Sequence, residues 1–302
     1  MRLTRAGLAA ACLAALQAAA QGPDAAPQPL PVAALPAAPR VDGDLSDWGS
    51  EGWVSVTVKP ALDRKDRPRY GLEEADDRNV TGTLTVQLKA GVAGGRFYLA
   101  ARWPDATEDK EHQGWEWRGT KYMLARRFDD QFALRLHLAG DFDRTMLSAR
   151  DYKVDVWLWS AARTNPTGFA DDQHHSFTTR ATEDAAEYAL PGGKTVYLRK
   201  QRDAGTPPYR SLPAPRQPMG ERLPSFELLK PAGSAADVAA KGQWKAGVWS
   251  LEFSRALNTG HADDVVLRAG QKVLGQIAVF NRADAEHKSV SEPLLIDLSA
   301  LH

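Results

Sequence analysis

The sequence carries a single cysteine, Cys12, and that residue lies inside an apolar N-terminal stretch. Once the stretch is removed no thiol remains. Disulfides, thiolate metal sites, a cysteine nucleophile and the CxxCH attachment of c-type haem are then all excluded. Net charge is also absent: 38 Lys and Arg balance 38 Asp and Glu. That balance gives no electrostatic reason to expect nucleic acid or an anionic membrane surface as partner. There is no GxSxG, no HExxH and no Gly-rich phosphate loop, so the common hydrolase and nucleotide readings lack their groups. Beyond the N-terminus no apolar run is long enough for a membrane span. No segment keeps a helical period over a useful length, and no internal repeat is visible.

What is present begins with a targeting signal. Arg2 and Arg5 form a basic start, Ala6 to Leu16 an apolar run too short to cross a bilayer, and Ala18-Ala19-Ala20 a small-residue cleavage site. Residues 1–20 therefore read as a secretory signal peptide and the mature product as periplasmic. The run before Cys12 is very short for a lipoprotein signal. Residues 21–39, rich in Pro and Ala, read as an extended, poorly ordered linker. Residues 40–302 remain as the folded domain, which is long enough to bury a real core.

Within that domain short alternating segments follow one another. Strands are expected at Trp53 to Lys59, Thr83 to Leu88, Arg96 to Trp103, Gln131 to Leu138 and Lys153 to Trp159. A hairpin is expected over Gly242 to Arg255, and further strands at Val273 to Asn281 and Pro293 to Leu298. From Thr178 to Ala240 the pattern dissolves into a proline-rich excursion with one strand at Thr195 to Arg199. Excursions of that length in compact domains are functional or disordered, and this one is placed to cover one end of the fold. Many short strands with turn signals predict an all-β protein: an antiparallel β-sandwich with long irregular loops and little helix. Nine tryptophans fit a packed sandwich or a flat apolar ligand.

The organising stretch is Lys153 to Phe177. In its strand Val154, Val156 and Leu158 point one way, and Asp155, Trp157 and Trp159 the other. Large apolar groups on both sides predict burial on both faces. The strand breaks at Asn165-Pro166 and Thr167-Gly168, and Asp171 to His175 reads as a polar loop carrying a site. His174 and His175 are candidate metal-site residues, but neighbours on an extended backbone diverge, so at most one faces a given site. Asp42, Asp44 and Asp47 in VDGDLSDW read as a tight turn, because their spacing is not that of a calcium loop. Glu73-Glu74 and Asp76-Asp77 read as solvated surface. On composition alone Met146 is core filler and Lys288 a solvated loop charge.

The segment VDVWLWSAARTNPTGFADDQ resembles the ethylbenzene dehydrogenase-type haem-binding domain. VDGDLSDW, WPDATEDKEHQGWEW, GVWSLEFSRALNTGHADDVVL and IAVFNRADAEHKSVS support the likeness, which spans most of residues 40 to 298. That domain is the γ subunit of periplasmic molybdenum enzymes and occurs in other exported cytochromes. The resemblance implies one haem b in an apolar slot of the sandwich, with Met146 and Lys288 as axial metal ligands and Trp157 and Trp159 as cofactor-binding walls. Some relatives attach c-type haem covalently through cysteine and histidine, which this chain lacks. A ligating lysine must be the free amine, which requires burial of a group whose ordinary pKa is about 10.4. Arg163 is a candidate partner for a haem propionate, and His137, His174 and His287 are candidate replacement ligands. The implied function is a periplasmic b-type cytochrome domain that transfers electrons. Its expected partners are a redox protein or the α and β subunits of a molybdenum oxidoreductase, with catalysis left to another chain. A rival from a different class is a non-catalytic carbohydrate-binding β-sandwich module, which shares the VDG…DW opening and needs no iron.

Overall fold

The computed structural model describes residues 26–73, 79–283 and 288–301. The leader at residues 1–20, the acidic residues Glu74, Asp76 and Asp77, and His287 lie outside them. Among the described residues no helix is long and apolar enough to cross a membrane.

Fourteen strands form one continuous, folded-over sheet. They are β1 (Gln28–Ala34), β2 (Val54–Pro60), β3 (Leu84–Ala93), β4 (Arg96–Pro104), β5 (Gln131–Gly140), β6 (Tyr152–Ser160) and β7 (Asp171–Thr178). They continue with β8 (Ala186–Leu190), β9 (Lys194–Arg202), β10 (Ala239–Lys245), β11 (Val248–Ala256), β12 (Lys272–Phe280), β13 (Ser289–Ser291) and β14 (Leu294–Asp297). The hydrogen-bonded order is β8-β9-β7-β6-β5-β12-β13-β2-β3-β4-β11-β10, and β1 and β14 bridge β3 to β12. The β5–β6–β7–β9–β12 half packs on the β2–β3–β4–β11–β10 half, so the expected β-sandwich is present.

Its central core is aromatic. Trp157 and Trp159 of β6 meet Phe97 and Trp103 of β4 and Trp249 and Phe253 of β11, with ring centroids 4.9 to 6.2 Å apart. Edge-on pairs at such distances exceed plain area burial by roughly 0.5–1.5 kcal/mol each. Phe132, Leu134 and Leu136 of β5 complete this layer, on the face their alternation predicts. On β10 a Cβ at Gly242 would lie 2.6 Å from the Trp159 indole, so the absence of a side chain there lets the ring close on the backbone.

A second, smaller core lies on the outer face of the same half. Tyr152, Val154 and Val156 of β6, Phe177 of β7, and Val196 and Leu198 of β9 pack there against Phe142, Met146 and Leu147 from the β5–β6 connection. The expectation that β6 is buried on both faces therefore holds, with a different core on each side.

Three expectations are corrected. Residues 28–34 are strand β1 rather than linker. It runs parallel to β14 as far as Pro31 and parallel to β3 from Val32. Each half pairs on one side only, which tolerates the missing proline donors, while Leu30 and Val32 enter the core. Residues 171–175 are part of β7 rather than a loop, because β6 and β9 pair with it on both sides. Two of its polar side chains find partners here: Asp171 takes Arg202 at 2.9 Å, and His174 reaches Asp203 at 2.6 Å. The 178–240 excursion is ordered. It contributes β8 and β9 and then short pairings: Gly205–Thr206 with Ala232–Gly233, Tyr209–Ser211 with Phe226–Leu228, and Arg222–Leu223 on Trp115–Trp117.

Candidate binding cavity

A cavity of about 270 Å³ sits on the outer face of this half-sheet. Alternation dictates its floor: Ala133 of β5, Val156 and Leu158 of β6, Leu198 of β9 and Ala278 of β12 all project to that side. Two connections cover it. One is the segment around Ala61 to Leu72, containing the 3-10 turns of Arg64–Tyr70. The other is the β5–β6 connection, which brings Thr145, Met146 and Leu147 over the floor.

The β5–β6 connection is held by specific bonds. Arg135 of β5 donates Nη2 to the carbonyls of Asp143 and Arg144, the latter at 2.8 Å, and Nε to Gln276 Oε1 at 2.6 Å. Gln276 Nε2 donates to Arg144 O at 3.1 Å and to Ser291 O at 2.6 Å. Inside the loop Asp143 Oδ1 accepts from Thr145 N, and Thr145 Oγ1 accepts from Leu147 N. These local turns and the Arg135 fork set where Met146 stands.

Lys288 precedes β13. Its carbonyl accepts from Ala61 N at 3.1 Å and Asn79 Nδ2 at 3.0 Å, which fixes the backbone beside the cover. The side chain is 8% exposed, and Nζ lies 5.8 Å from the centre of the Phe280 ring. The solvated-charge reading of Lys288 is thus replaced by a desolvated one. Met146 is half-buried, and both side chains line the one cavity.

The other candidates fall elsewhere. Trp157 and Trp159 are fully buried in the aromatic core, on the opposite face of β6 from the cavity, so the wall residues are Val156 and Leu158 instead. The cavity lies outside the two halves of the sandwich rather than between them. Arg163 does not line the cavity; it bonds Gln131 Oε1, a lining residue, at 2.8 Å and stacks on Tyr209. His137 bonds the Gly140 carbonyl, and His174 points to the other side of β7. His175 is the histidine that reaches the cavity, bonded to Gln173 Oε1 at 2.9 Å. Burial first, then Lys200, Arg135, Lys288 and His174, push its imidazole well below the usual range, so it is neutral at pH 7.

Residue-level reading missed Arg67, Arg135, Arg144 and Lys200, which line the cavity and give it a cationic character. Arg144 pairs with Glu292 through Nε at 3.1 Å, while its Nη2 is buried without a hydrogen-bond partner. An apolar floor with an uncommitted buried guanidinium N–H suits an amphiphilic ligand carrying an anionic group. The VDGDLSDW turn is built as a turn: Asp44 Oδ1 accepts from Ser46 N, and Glu252 accepts from Asp42 N, Gly43 N and Trp48 Nε1.

Comparison with known proteins adds a family and a set of similar folds. The family model described as Ethylbenzene dehydrogenase matches residues 46–291. No curated protein matches the chain. Among solved structures it is similar to a family 9 carbohydrate-binding module from Caldicellulosiruptor kristjanssonii in complex with glucose. Identity is 11%, the match covers 90% of this chain and 88% of that one, and the TM-score is 0.35. It is also similar to a putative carbohydrate-binding protein from Bacteroides uniformis, at 11% identity over 88% of this chain and 90% of that one, with a TM-score of 0.39. The expected periplasmic b-type cytochrome that transfers electrons, as a γ subunit, is corrected to what the family match carries, and the two structures named here are described as carbohydrate-binding proteins.

Proposed function

The chain belongs to the ethylbenzene dehydrogenase family, and from that premise we propose that it is a non-catalytic binding module whose ligand occupies the cavity on the outer sheet face. One observation carries this reading. A closed apolar floor, two bonded covers and a buried guanidinium N–H without a partner converge on one space. Several of its polar groups are fixed by hydrogen bonds, as a site for orienting a ligand requires. No nucleophile–base pair stands among its lining residues, which is the reason to assign binding rather than chemistry.

The floor and the cations favour a flat apolar body bearing carboxylate. Haem b is the cofactor proposed for it. Met146 and Lys288 would hold its iron, and Arg144 is the cation at hand for a propionate. The thioether and the desolvated amine are the donor types this requires. A sugar is the other ligand class to be tried, and the polar side chains Gln131, Gln173 and Gln276 are the groups that would meet its hydroxyls. Export to the periplasm and association with the catalytic subunits of a molybdenum enzyme belong to the same proposal. N-terminal processing and co-purification from the periplasmic fraction test them.

Titration of the purified protein with haemin, and separately with glucose and xylo- or cello-oligosaccharides, tests the binding reading. Ala278→Phe fills the cavity floor and should weaken whichever ligand binds by tenfold or more. Binding that survives Ala278→Phe unchanged, or no binding of either class, removes the cavity as the site. If haemin binds, Met146→Ala and Lys288→Ala should each alter its low-spin spectrum.

A further inference from the structure

The opposite face of β6 and β7 carries a second constellation. Asp155 of β6, Asp172 of β7 and Asp264, in the segment after β11, present one carboxylate oxygen each within 4.8 Å of one another. Asp155 and Asp172 are 0% exposed and Asp264 is 4% exposed. The guanidinium among them is Arg255, itself fully buried. It donates Nη1 to Asp155 Oδ2 and to Asp264 Oδ1, the latter at 2.8 Å, and Nη2 to the Val265 carbonyl. Asp264 Oδ2 accepts from Thr259 Oγ1 at 2.6 Å.

Neither oxygen of Asp172 has a hydrogen-bond partner, and neither does Oδ1 of Asp155. A buried carboxylate left in this state costs several kcal/mol, so something must compensate it. One proton, shared among the carboxylates of the cluster, would offset a single charge. A divalent cation offsets more. Three carboxylates and one guanidinium leave two negative charges, which one divalent ion cancels. The three donors are all hard oxygens, which selects calcium or magnesium over zinc. Magnesium keeps several of its waters, whereas calcium accepts an irregular protein cage at 2.3–2.6 Å per bond. Two oxygens on opposite sides of a calcium ion are then about 4.8 Å apart, and the three carboxylate oxygens lie within that distance of one another.

We propose that Asp155, Asp172 and Asp264 bind one calcium ion, which ties β6 and β7 to the segment after β11 inside the sandwich. The direction of the proton equilibria agrees. Burial first, then the neighbouring carboxylates, holds Asp172 well above the usual carboxylate range, and burial raises Asp264 to about 7. A calcium ion would displace those protons.

The test is equilibrium dialysis of the full chain, stripped with EDTA, against calcium at pH 7.5, together with thermal unfolding in EDTA, calcium or magnesium. The expected result is one calcium per chain and a higher melting temperature in calcium than in magnesium or EDTA. Asp172→Asn should abolish both effects. In EDTA it should melt no lower than the unsubstituted chain, since it removes one of three like charges. Asp264→Asn gives a second variant should the first not fold, and the dialysis needs no variant at all. Absence of bound calcium, with a melting temperature indifferent to EDTA and rising only on acidification, would overturn the proposal in favour of shared protons.

Discussion

Strands β6 and β7 present two faces with opposite designs. The inner face of β6 carries Trp157, Trp159 and Asp155, with Asp172 beside them on β7, all packed without solvent. The outer face carries Val156, Leu158, Gln173 and His175, and leaves about 270 Å³ unfilled beneath two connections. One backbone therefore serves a rigid aromatic and ionic interior on one side and a receptive space on the other. The stiffness of the first is what holds the second open, since a floor that could repack would close on its own cavity.

That contrast can be broken from the inside. Trp157→Ala removes an indole from the aromatic layer and should cost about 4 kcal/mol of stability, read as a lowered urea midpoint. Ligand affinity at the outer cavity should change little under conditions where the variant stays folded. A large affinity loss at unchanged stability would mean the two faces are not separate. Arg255→Met strands Asp155 and Asp264 without their guanidinium and should cost about 3 kcal/mol. Calcium should recover part of that loss.

On the outer face Arg135→Met should cost less, about 2 kcal/mol, because it releases the carbonyls of residues 143 and 144. It should nevertheless weaken the cavity ligand by about tenfold, since the loop bearing Met146 loses its latch. Ligand titration beside urea unfolding separates the two effects.

The smallest effect concerns pH. Burial raises Asp130 and Asp264 to about 7 and Asp203 to about 6. A folded-state pKa above the unfolded value means the folded chain holds extra protons between the two. Stability from these groups is full below about pH 4 and is lost as pH rises through 6 and 7. In EDTA the urea midpoint should therefore fall between pH 5 and pH 8. Saturating calcium should flatten the part of that slope due to Asp264. A midpoint rising across this range would contradict the assignment.

Much of this architecture was legible from spacing. Period-two alternation placed β2 to β6 and β9 to β12 within a few residues, and the turn at Asn165-Pro166 occurs where its dipeptides sit. Strand β7 was illegible because its side chains are polar on both faces; Arg202 and Asp203 meet Asp171 and His174 while Asp172 stays without a hydrogen-bond partner, and no local pattern shows that. Strand β1 was hidden by prolines, since composition does not reveal that each half pairs on one side only. At the site, Met146 and Lys288 were selected by resemblance, and the fold brings both to one cavity. Arg135 and Arg144 were missed as lining residues because nothing local distinguishes a cation facing a cavity from one facing water, and of the two candidate histidines only the strand pairing decides that His175 faces the cavity.

By itself the sequence determined an all-β chain with β6 apolar on both sides, because alternation and composition act residue by residue. Tertiary structure alone decided which face of β6 meets the other half of the sandwich and which faces the cavity. It also decided that Asp155, Asp172 and Asp264 share one dry space. Those outcomes depend on pairing between distant strands, and only the closed sheet sets the distances and the exclusion of water that give these side chains their chemistry.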